Sequence, residues 1–183
     1  MPDEALWKGF FDPAEVVSRV GCASHPGDVV EFGCGYGTFT FPVAAGLAGT
    51  VYALDIDPGL VRWVSRKACD EGLTNVRAAR RDFMTAGTGL ESGSMVHAIL
   101  FNILHIEEPE KLLAEAWRVL APGGIASVIH WRNDIPTPRG PSLGIRPSPD
   151  QCRSRAQSAG FRSIRGIALG DAAPWHYGLL LVK

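Results

Sequence analysis

Three glycines at alternate positions follow a short apolar stretch near the start of the chain. They are Gly33, Gly35 and Gly37 in the segment VVEFGCGYGTFT. Glycine lets the backbone adopt positive φ and approach a ligand closely, and the amides that open the next helix favour an anionic group. Asp55 closes the next apolar run, twenty-two residues after Gly33, which is the spacing at which an acid meets ribose hydroxyls. These residues therefore indicate a site for a nucleotide-containing cofactor.

The spacing of the glycines narrows the choice of cofactor. A dinucleotide site requires G-x-G-x-x-G, whereas this chain has G-x-G-x-G followed by Thr38. Glu31 lies two residues before the first glycine, where its carboxylate would repel a pyrophosphate but attract an ammonium group. The pattern therefore disfavours a nicotinamide dinucleotide, and a nicotinamide-dependent oxidoreductase is kept only as an alternative.

The composition is that of a globular chain of 183 residues, which fits one domain. The formal net charge is -1, so the chain lacks the basic field of nucleic-acid-binding proteins. No apolar run approaches the ~20 residues of a membrane span, and the first residues lack the features of a signal peptide. The four cysteines are scattered without metal-ligand spacing. We therefore expect a cytoplasmic protein without a metal site, a nucleic-acid partner or a membrane contact.

Short apolar runs alternate with helical patterns, and this order predicts the fold class. Strands are expected at Asp28–Phe32, Thr50–Asp55, within NVRAARRD, at Ser94–Asn102 and at residues 125–131. Helices are expected at residues 13–20, 38–47, 58–72, 109–120 and from Ser148 onward. FRSIRGIAL and WHYGLLLVK indicate a closing antiparallel pair. The prediction is an α/β, doubly wound, Rossmann-like fold with a mostly parallel seven-stranded sheet, helices on both faces and a C-terminal antiparallel hairpin.

We expect residues 1–183 to form a single domain with four parts. A cap or lid helix occupies residues 1–27, the cofactor-binding core residues 28–131, a loop rich in proline and arginine residues 132–149, and the last helix and hairpin residues 150–183. The aromatic cluster WKGFF in the first part would either fold over the mouth of the cofactor site or cover an edge of the sheet.

Four segments in sequence order resemble the class I S-adenosylmethionine-dependent methyltransferases. VVEFGCGYGTFT is similar to the family's first motif, and VYALDIDPGLV resembles its second strand with a ribose-binding acid. AARRDF resembles the segment beside the adenine, and ILFNILHIEEPEKLLAEAWRVLAPGG resembles the fourth strand, the following helix and a P-G-G turn. The segments cover residues 28–131. The resemblance implies methyl transfer with S-adenosyl-L-methionine as cofactor and S-adenosyl-L-homocysteine as its product.

The same resemblance implies which residues surround the methionyl end of the cofactor. The loop around it would consist of Gly33, Cys34, Gly35 and Gly37. Glu31, where the family more often has aspartate, would lie near the amino group, and Phe101 and Asn102 would face the same end. A strand-end acid that caps backbone amides is the alternative for Glu31, and a core position is the alternative for Phe101.

At the nucleoside end the resemblance implies four further residues. Asp55 would hold both ribose hydroxyls, and Ile56 would pack on the adenine. Asp82 would accept a hydrogen bond from the adenine N6, and Phe83 would flank the ring. The alternatives are helix capping for Asp55, an ordinary loop acid at Asp82 and a core position for Phe83.

The acceptor is expected to be a small molecule, because an N-P-P-Y type tetrad and a nucleic-acid-binding module are absent from the sequence. Methyl transfer from a sulfonium is an in-line displacement that mainly needs proximity, and a general base is needed only for a protonated acceptor. No catalytic residue is firmly assigned. The candidate bases are His105 and His130, which follow or end predicted strands, and ordinary hydrogen-bonded histidines are the alternative.

Arginines dominate the charged residues after the fifth strand. There are seven between residues 130 and 165, with no lysine, and a guanidinium suits oxyanions. We hypothesise a small acceptor, with an anionic one favoured, held by Trp131, Arg132, Arg139 and Arg146. A solvent-exposed face is the expected place of the other four arginines. A non-catalytic S-adenosylmethionine-binding module is the alternative function.

Overall fold

The computed structural model describes residue 7 and residues 9–183 and contains a seven-stranded sheet in the order β3-β2-β1-β4-β5-β7-β6. The strands are β1 Asp28–Phe32, β2 Val51–Asp55, β3 Val76–Arg80, β4 Met95–Phe101, β5 Leu120–Trp131, β6 Ser163–Ile167 and β7 His176–Val182. Strands β1 to β5 run parallel, whereas β7 pairs antiparallel with both β5 and β6. The predicted fold class, including the C-terminal hairpin, is confirmed.

The helices lie on both faces of the sheet, and three of them begin where a polar cap precedes proline. Their bounds are α1 Pro13–Val20, α2 Thr40–Gly46, α3 Pro58–Asp70, α4 Phe83–Ala86, α5 Pro109–Val119 and α6 Pro149–Ser158. At the starts of α1, α3 and α6 the side chains of Asp12, Asp57 and Ser148 accept hydrogen bonds from amides of the first turn. These amides have no partner within the helix, so each cap stabilises its helix by about 1 kcal/mol.

Two apolar cores lie on opposite faces of the sheet. Side chains of α1, α2 and α3 contribute to one core, and side chains of α5 and α6 contribute to the other. Val29 and Val30 of β1 belong to different cores, because successive side chains of a strand point to opposite faces. The sheet is therefore covered on both faces, and its strand ends are left for a site.

The strand order reverses at β1, which has β2 on one side and β4 on the other. In a doubly wound sheet, ligands bind outside the carboxyl ends of the strands at this switch point. The glycine loop follows β1, β2 ends at Asp55 and β4 ends at Phe101. The residues with predicted chemistry therefore meet at the edge of the sheet where a crevice forms.

One strand boundary and one short helix differ from the prediction by more than two residues. β5 begins at Leu120 rather than at residue 125, and the residues between these positions bulge out of the ladder with β4. The predicted P-G-G break therefore lies inside a strand, with Gly123 at a φ of 78°. The four-residue helix α4 was not predicted, because it is too short to show helical periodicity.

Part of the N-terminal aromatic cluster belongs to a core. Phe10 and Phe11 are buried, and their rings contact Trp131 and Phe39, so this part of the cluster covers the sheet. Residues 1–6 and 8 of the predicted cap or lid lie outside the described residues. Within the described ranges, no helix has the length and apolar character to cross a membrane, and no cluster of His, Cys, Asp or Glu could hold a metal ion.

Candidate cofactor site

A cavity of about 250 Å³ opens at the carboxyl ends of β1, β2 and β4, and we call it the switch-point cleft. Nine of the eleven residues predicted to bind the cofactor line it, namely Glu31, Gly33, Cys34, Gly35, Asp55, Ile56, Phe83, Phe101 and Asn102. The structure therefore brings together residues from four separate stretches of the sequence.

Four further residues of the cleft wall were not predicted from the sequence. They are Trp7, Thr38, Phe39 and Ile103. Thr38 and Ile103 directly follow predicted site residues in the chain, and Phe39 comes next after Thr38, so this adjacency was a usable signal. Trp7 reaches the cleft from the N-terminal aromatic cluster WKGFF, for which a place over the mouth of the cofactor site was one of the two expectations.

The loop after β1 has a conformation that favours glycine. Gly33, Gly35 and Gly37 have φ values of 76°, 55° and 79°, a region that costs other residues about 1–2 kcal/mol. The amides of Gly33 and Cys34 donate to the carbonyl of Leu54 at 2.8 and 3.0 Å, which ties the loop to the end of β2. Gly37 does not line the cleft, but a Cβ there would overlap an aromatic ring of α2. The glycines therefore shape the cleft and allow helix α2 to pack beside it.

Asp55 anchors this loop and still offers acceptor sites to a ligand. Its Oδ2 accepts a hydrogen bond from the amide of Gly35 at 2.9 Å, and its Oδ1 accepts from the amide of Asp57 at 3.0 Å. A carboxylate has about four acceptor sites, so about two are left for hydroxyl groups in the cleft. Capping of α3 is performed by Asp57, whose Oδ1 accepts from the amide of Gly59 at 2.6 Å.

Glu31 is a buried acid that has no cationic partner among the described residues. It is 3% exposed, and its Oε2 accepts a hydrogen bond from the hydroxyl of Thr40. Burial raises the pKa of this carboxyl to about 8; the Thr40 hydrogen bond opposes the rise and the charge of Asp55 adds to it. Glu31 is therefore mostly protonated at pH 7, and an ammonium group beside it would favour the ionised form.

Two polar side chains of the cleft wall lack partners. Asn102, the one non-glycine residue in the described part of the chain with positive φ, has its amide nitrogen and oxygen buried and unpaired there. The buried hydroxyl of Thr38 is likewise unpaired. A buried polar group without a hydrogen bond costs about 1–3 kcal/mol, so these groups indicate a polar ligand. A ligand that combines an ammonium, a carboxylate and a diol would fit Glu31, Asn102 and Asp55.

Aromatic rings supply the apolar part of the wall. Phe39 and Phe101 meet edge to face with centroids 4.7 Å apart, and Phe83 packs edge-on against Phe32 at 5.3 Å. Such rings offer flat surfaces and edges to a planar heterocycle. The cleft thus has an apolar wall beside its polar groups.

Asp82 lies just outside the cleft wall. Its carboxylate accepts hydrogen bonds from the amides of Met84 and Thr85 and so caps α4. The contact of Asp82 with an adenine N6 stays a prediction.

The family model described as a methyltransferase domain matches residues 29–124 of the chain, which is more than half of its length. The chain belongs to the methyltransferase domain family. The cofactor of this family is S-adenosyl-L-methionine, and its amino, carboxylate and ribose hydroxyl groups are of the kinds that the switch-point cleft fits.

Two curated relatives support the assignment to the methyltransferases, each at a sequence identity below 30%. The aklanonic acid methyltransferase DauC of Streptomyces sp. (strain C5) is 27% identical over 146 residues, which cover 74% of this chain and 66% of the relative. The sterol 24-C-methyltransferase erg6 of Aspergillus fumigatus is 28% identical over 169 residues, which cover 82% of this chain and 45% of the relative. The chain thus spans under two thirds of either curated relative.

A solved structure shows the same fold over nearly the whole chain. The SAM-dependent methyltransferase from Aquifex aeolicus superposes with a TM-score of 0.84 at 22% identity. The alignment covers 98% of this chain and 93% of that structure.

A second cavity has a volume of about 280 Å³, and we call it the His105 cavity. Part of its wall comes from residues that directly follow those of the cleft in the chain. Asn102 and Ile103 line the switch-point cleft, whereas Leu104 and His105 line the second cavity. Residues 144–147 of the Pro- and Arg-rich loop and two side chains of α6 complete its wall. The two cavities are therefore neighbours along the segment that leaves β4.

The two candidate bases contact each other. Nδ1 of His105 lies 3.3 Å from Nε2 of His130, and Nδ1 of His130 lies 3.3 Å from the carbonyl oxygen of Trp131. Because a carbonyl only accepts, the hydrogen of His130 is on Nδ1, and its Nε2 accepts from Nδ1 of His105. Burial lowers the pKa of both imidazoles, that of His130 to about 4. Both rings are therefore neutral at pH 7, and Nε2 of His105 carries no proton.

Arg146 is a buried cation in the wall of the His105 cavity. It is 8% exposed, and its guanidinium donates to the carbonyls of Arg132, Arg139 and Pro141 and to the hydroxyl of Thr137 at 2.7 to 3.2 Å. Burial lowers the pKa of Arg146. No carboxylate in the described ranges pairs with it, so its charge lacks a counter-ion there.

The other predicted acceptor residues lie away from this cavity. Trp131 is 1% exposed and packs among aromatic rings of the core, so it is not an open pocket wall. Arg132 forms a bidentate pair with Asp134 at 2.9 and 2.7 Å and lines a separate surface depression. Arg139 is exposed, and its carbonyl oxygen accepts from Arg146. Of the four predicted residues, the structure places Arg146 in the His105 cavity.

Proposed function

We propose that this chain transfers the methyl group of S-adenosyl-L-methionine to a small, anionic molecule. The observation that carries the proposal is the set of polar groups in the switch-point cleft that have no complete set of partners. They are the buried acid Glu31, the amide of Asn102 and the open acceptor sites of Asp55. When bound, the cofactor supplies a methyl group on a positively charged sulfur.

In this proposal the chain acts mainly by holding two reactants in line, which supplies much of the rate enhancement of a displacement. Asp55 holds the ribose, whereas Glu31 and Asn102 hold the amino-acid end. Ile56 and Phe83 flank the adenine. These assignments agree with the lining of the cleft by all five residues.

The anionic character of the acceptor rests on Arg146. A buried guanidinium without a carboxylate partner is unfavourable, and a bound anion would offset this. Because consecutive residues after β4 line the cleft and the His105 cavity, we place the acceptor on the side of the methionyl end of the cofactor. The relative DauC, which is named for an acid that it methylates, agrees with an anionic acceptor.

The test measures S-adenosyl-L-homocysteine formation with acceptors of different charge, namely benzoate, phenyl phosphate, phenol and benzylamine. We expect turnover with acceptors that are or become anions and none with benzylamine. Arg146→Met should lower turnover by about 10- to 100-fold, because hydrogen bonds to charged groups contribute about 1.5–3 kcal/mol. Arg146→Lys should keep part of it, and Arg165→Met, at an exposed position of β6, is the matched control.

Three outcomes separate the parts of the proposal. Turnover of benzylamine alone would contradict an anionic acceptor. Binding of S-adenosyl-L-homocysteine without turnover of any acceptor would favour the non-catalytic binding module. Failure to bind S-adenosyl-L-homocysteine would overturn the proposed function as a whole.

A further inference from the structure

One nitrogen of the His105–His130 pair has an open acceptor position. The Nδ1 atom of His105 donates to His130, and His130 is in turn fixed by the carbonyl oxygen of Trp131. Nε2 of His105 has no hydrogen-bond partner within the described residues. After it takes a proton, His105 still donates from Nδ1 to the same acceptor, so the charged ring keeps its orientation.

The His105 cavity has a wall of mixed character, with apolar and polar side chains. Its apolar side chains are Leu104, Ile106, Ile145 and Pro147, and its uncharged polar ones are His105 and Gln151. Arg146 lines the same cavity, and its guanidinium has no carboxylate partner in the described part of the chain. A flat molecule with an apolar ring and one acidic oxygen would contact both kinds of side chain.

Two further charged residues line the His105 cavity. Glu107 lies on the same segment as His105, where it is exposed to solvent, and Arg155 faces the cavity from α6. Arg155 pairs with Glu110 of α5 at 2.9 Å, so its charge is compensated. Arg146 therefore is the cation of this wall without a carboxylate partner among the described residues, and one of its five N–H groups is not engaged by the loop.

We infer that His105 is a catalytic base and that the acceptor is a phenol or an enol bound in the His105 cavity. This inference rests on the proposed function. The hydroxyl proton moves to Nε2 of His105, and the oxygen forms a bond to the methyl carbon while the carbon–sulfur bond breaks and the sulfur keeps the electron pair. The products are a methyl ether, S-adenosyl-L-homocysteine and a protonated His105, which returns its proton to solvent. His130 is a positioning residue.

The presence of a base favours a hydroxyl acceptor over a carboxylate. A carboxylic acid is already ionised at pH 7 and needs no base, whereas a phenol with a pKa of about 10 is protonated and needs one. The oxyanion that develops would face the guanidinium of Arg146. A hydroxyl acceptor thus gives a role both to the free nitrogen of His105 and to the buried cation.

The probe for the test is 4-nitrophenol, because its neutral and ionised forms absorb at different wavelengths. The whole chain, saturated with S-adenosyl-L-homocysteine, is titrated with it across a range of pH. We expect the pKa of the bound phenol to fall by at least one unit, a tenfold change in its ionisation constant. The change should shrink in His105→Gln and in the shorter variant His105→Asn, where Arg146 alone still favours the phenolate, and it should shrink less in His130→Gln. His25→Gln, at an exposed histidine before β1, is the matched control and should behave as the wild type.

Calorimetry with S-adenosyl-L-homocysteine on each variant separates this inference from the proposed function. Equal phenol pKa values in the wild type and in both His105 variants would overturn the inference. So would a wild type that binds S-adenosyl-L-homocysteine but shows no saturable binding of 4-nitrophenol. A wild type that does not bind S-adenosyl-L-homocysteine would overturn the proposed function, and this inference with it.

Discussion

Binding of S-adenosyl-L-homocysteine at pH 7 is predicted to release about one proton from Glu31. With a pKa of about 8, this carboxyl carries about 0.9 protons at pH 7 in the free protein. An ammonium group held beside the buried carboxyl would keep it ionised, so the complex would hold no proton there. The dissociation constant should therefore fall about tenfold for each pH unit up to about 8 and then level off.

The two thiols near Glu31 do not contribute to the release of this proton. Burial raises the pKa of the Cys22 thiol to about 12 and also raises that of Cys34. Both thiols therefore stay protonated around pH 7, in the free protein and in the complex. The proton that is released can be assigned to Glu31.

The same carboxyl should make the free protein less stable as the pH rises. Its pKa is about 4.5 in the unfolded chain and about 8 in the folded chain, so the folded state binds more protons between these values. The contribution of Glu31 to the free energy of unfolding therefore falls from about pH 4.5 to about pH 8, by up to about 5 kcal/mol. The buried imidazoles of His97, His130 and His176, whose pKa values burial lowers, act in the opposite sense below about pH 6.5. The contribution of Glu31 is therefore measured as the difference between the wild type and Glu31→Gln in urea denaturation at several pH values.

Calorimetric titration in two buffers with different ionisation enthalpies counts the protons directly. The observed heat should differ between the buffers at pH 7 for the wild type and be equal for Glu31→Gln. A heat for the wild type at pH 7 that does not depend on the buffer would refute the role of Glu31.

Three further predictions concern the loop, the ribose and the core. Asp55→Asn should weaken S-adenosyl-L-homocysteine binding about 10- to 100-fold in calorimetry, because hydrogen bonds to a charged group are lost, and an unchanged affinity would count against this role. Gly37→Ala should lower the free energy of unfolding more than Gly72→Ala, since both have positive φ but only the first would place a Cβ against the ring of Phe41. Equal denaturation midpoints would contradict that reasoning. Leu113→Ala, at a fully buried position of α5, should lower the free energy of unfolding by about 2–5 kcal/mol, and a loss below 1 kcal/mol would be inconsistent with its burial.

The elements that the sequence predicts well are those with a local signal. Asp57 before Pro58 and Ser148 before Pro149 mark helix starts, because both the cap and the proline act within one turn. The start of β5 was not predicted, because it depends on a contact that is distant in the sequence. The residues around Gly123 resemble a break, and it is the pairing with β4, far away in sequence, that keeps Leu120 in the sheet.

The cleft was predictable because its residues follow strands that are adjacent and parallel. Glu31, Asp55 and Asn102 each stand at a strand end, so parallel pairing brings them together. The acceptor side depends on tertiary packing instead. The sequence shows seven arginines but not that Arg146 is the buried one, nor that His105 meets a histidine twenty-five residues away.

Whether the switch-point cleft binds the cofactor of the methyltransferases is decided by calorimetric titration with S-adenosyl-L-homocysteine, with NAD as the comparison ligand. We predict saturable binding of S-adenosyl-L-homocysteine that is lost in Asp55→Ala, and no binding of NAD. Binding of NAD alone, or binding of S-adenosyl-L-homocysteine that is unaffected in Asp55→Ala, would contradict the assignment of the glycine loop and of the acid that anchors it.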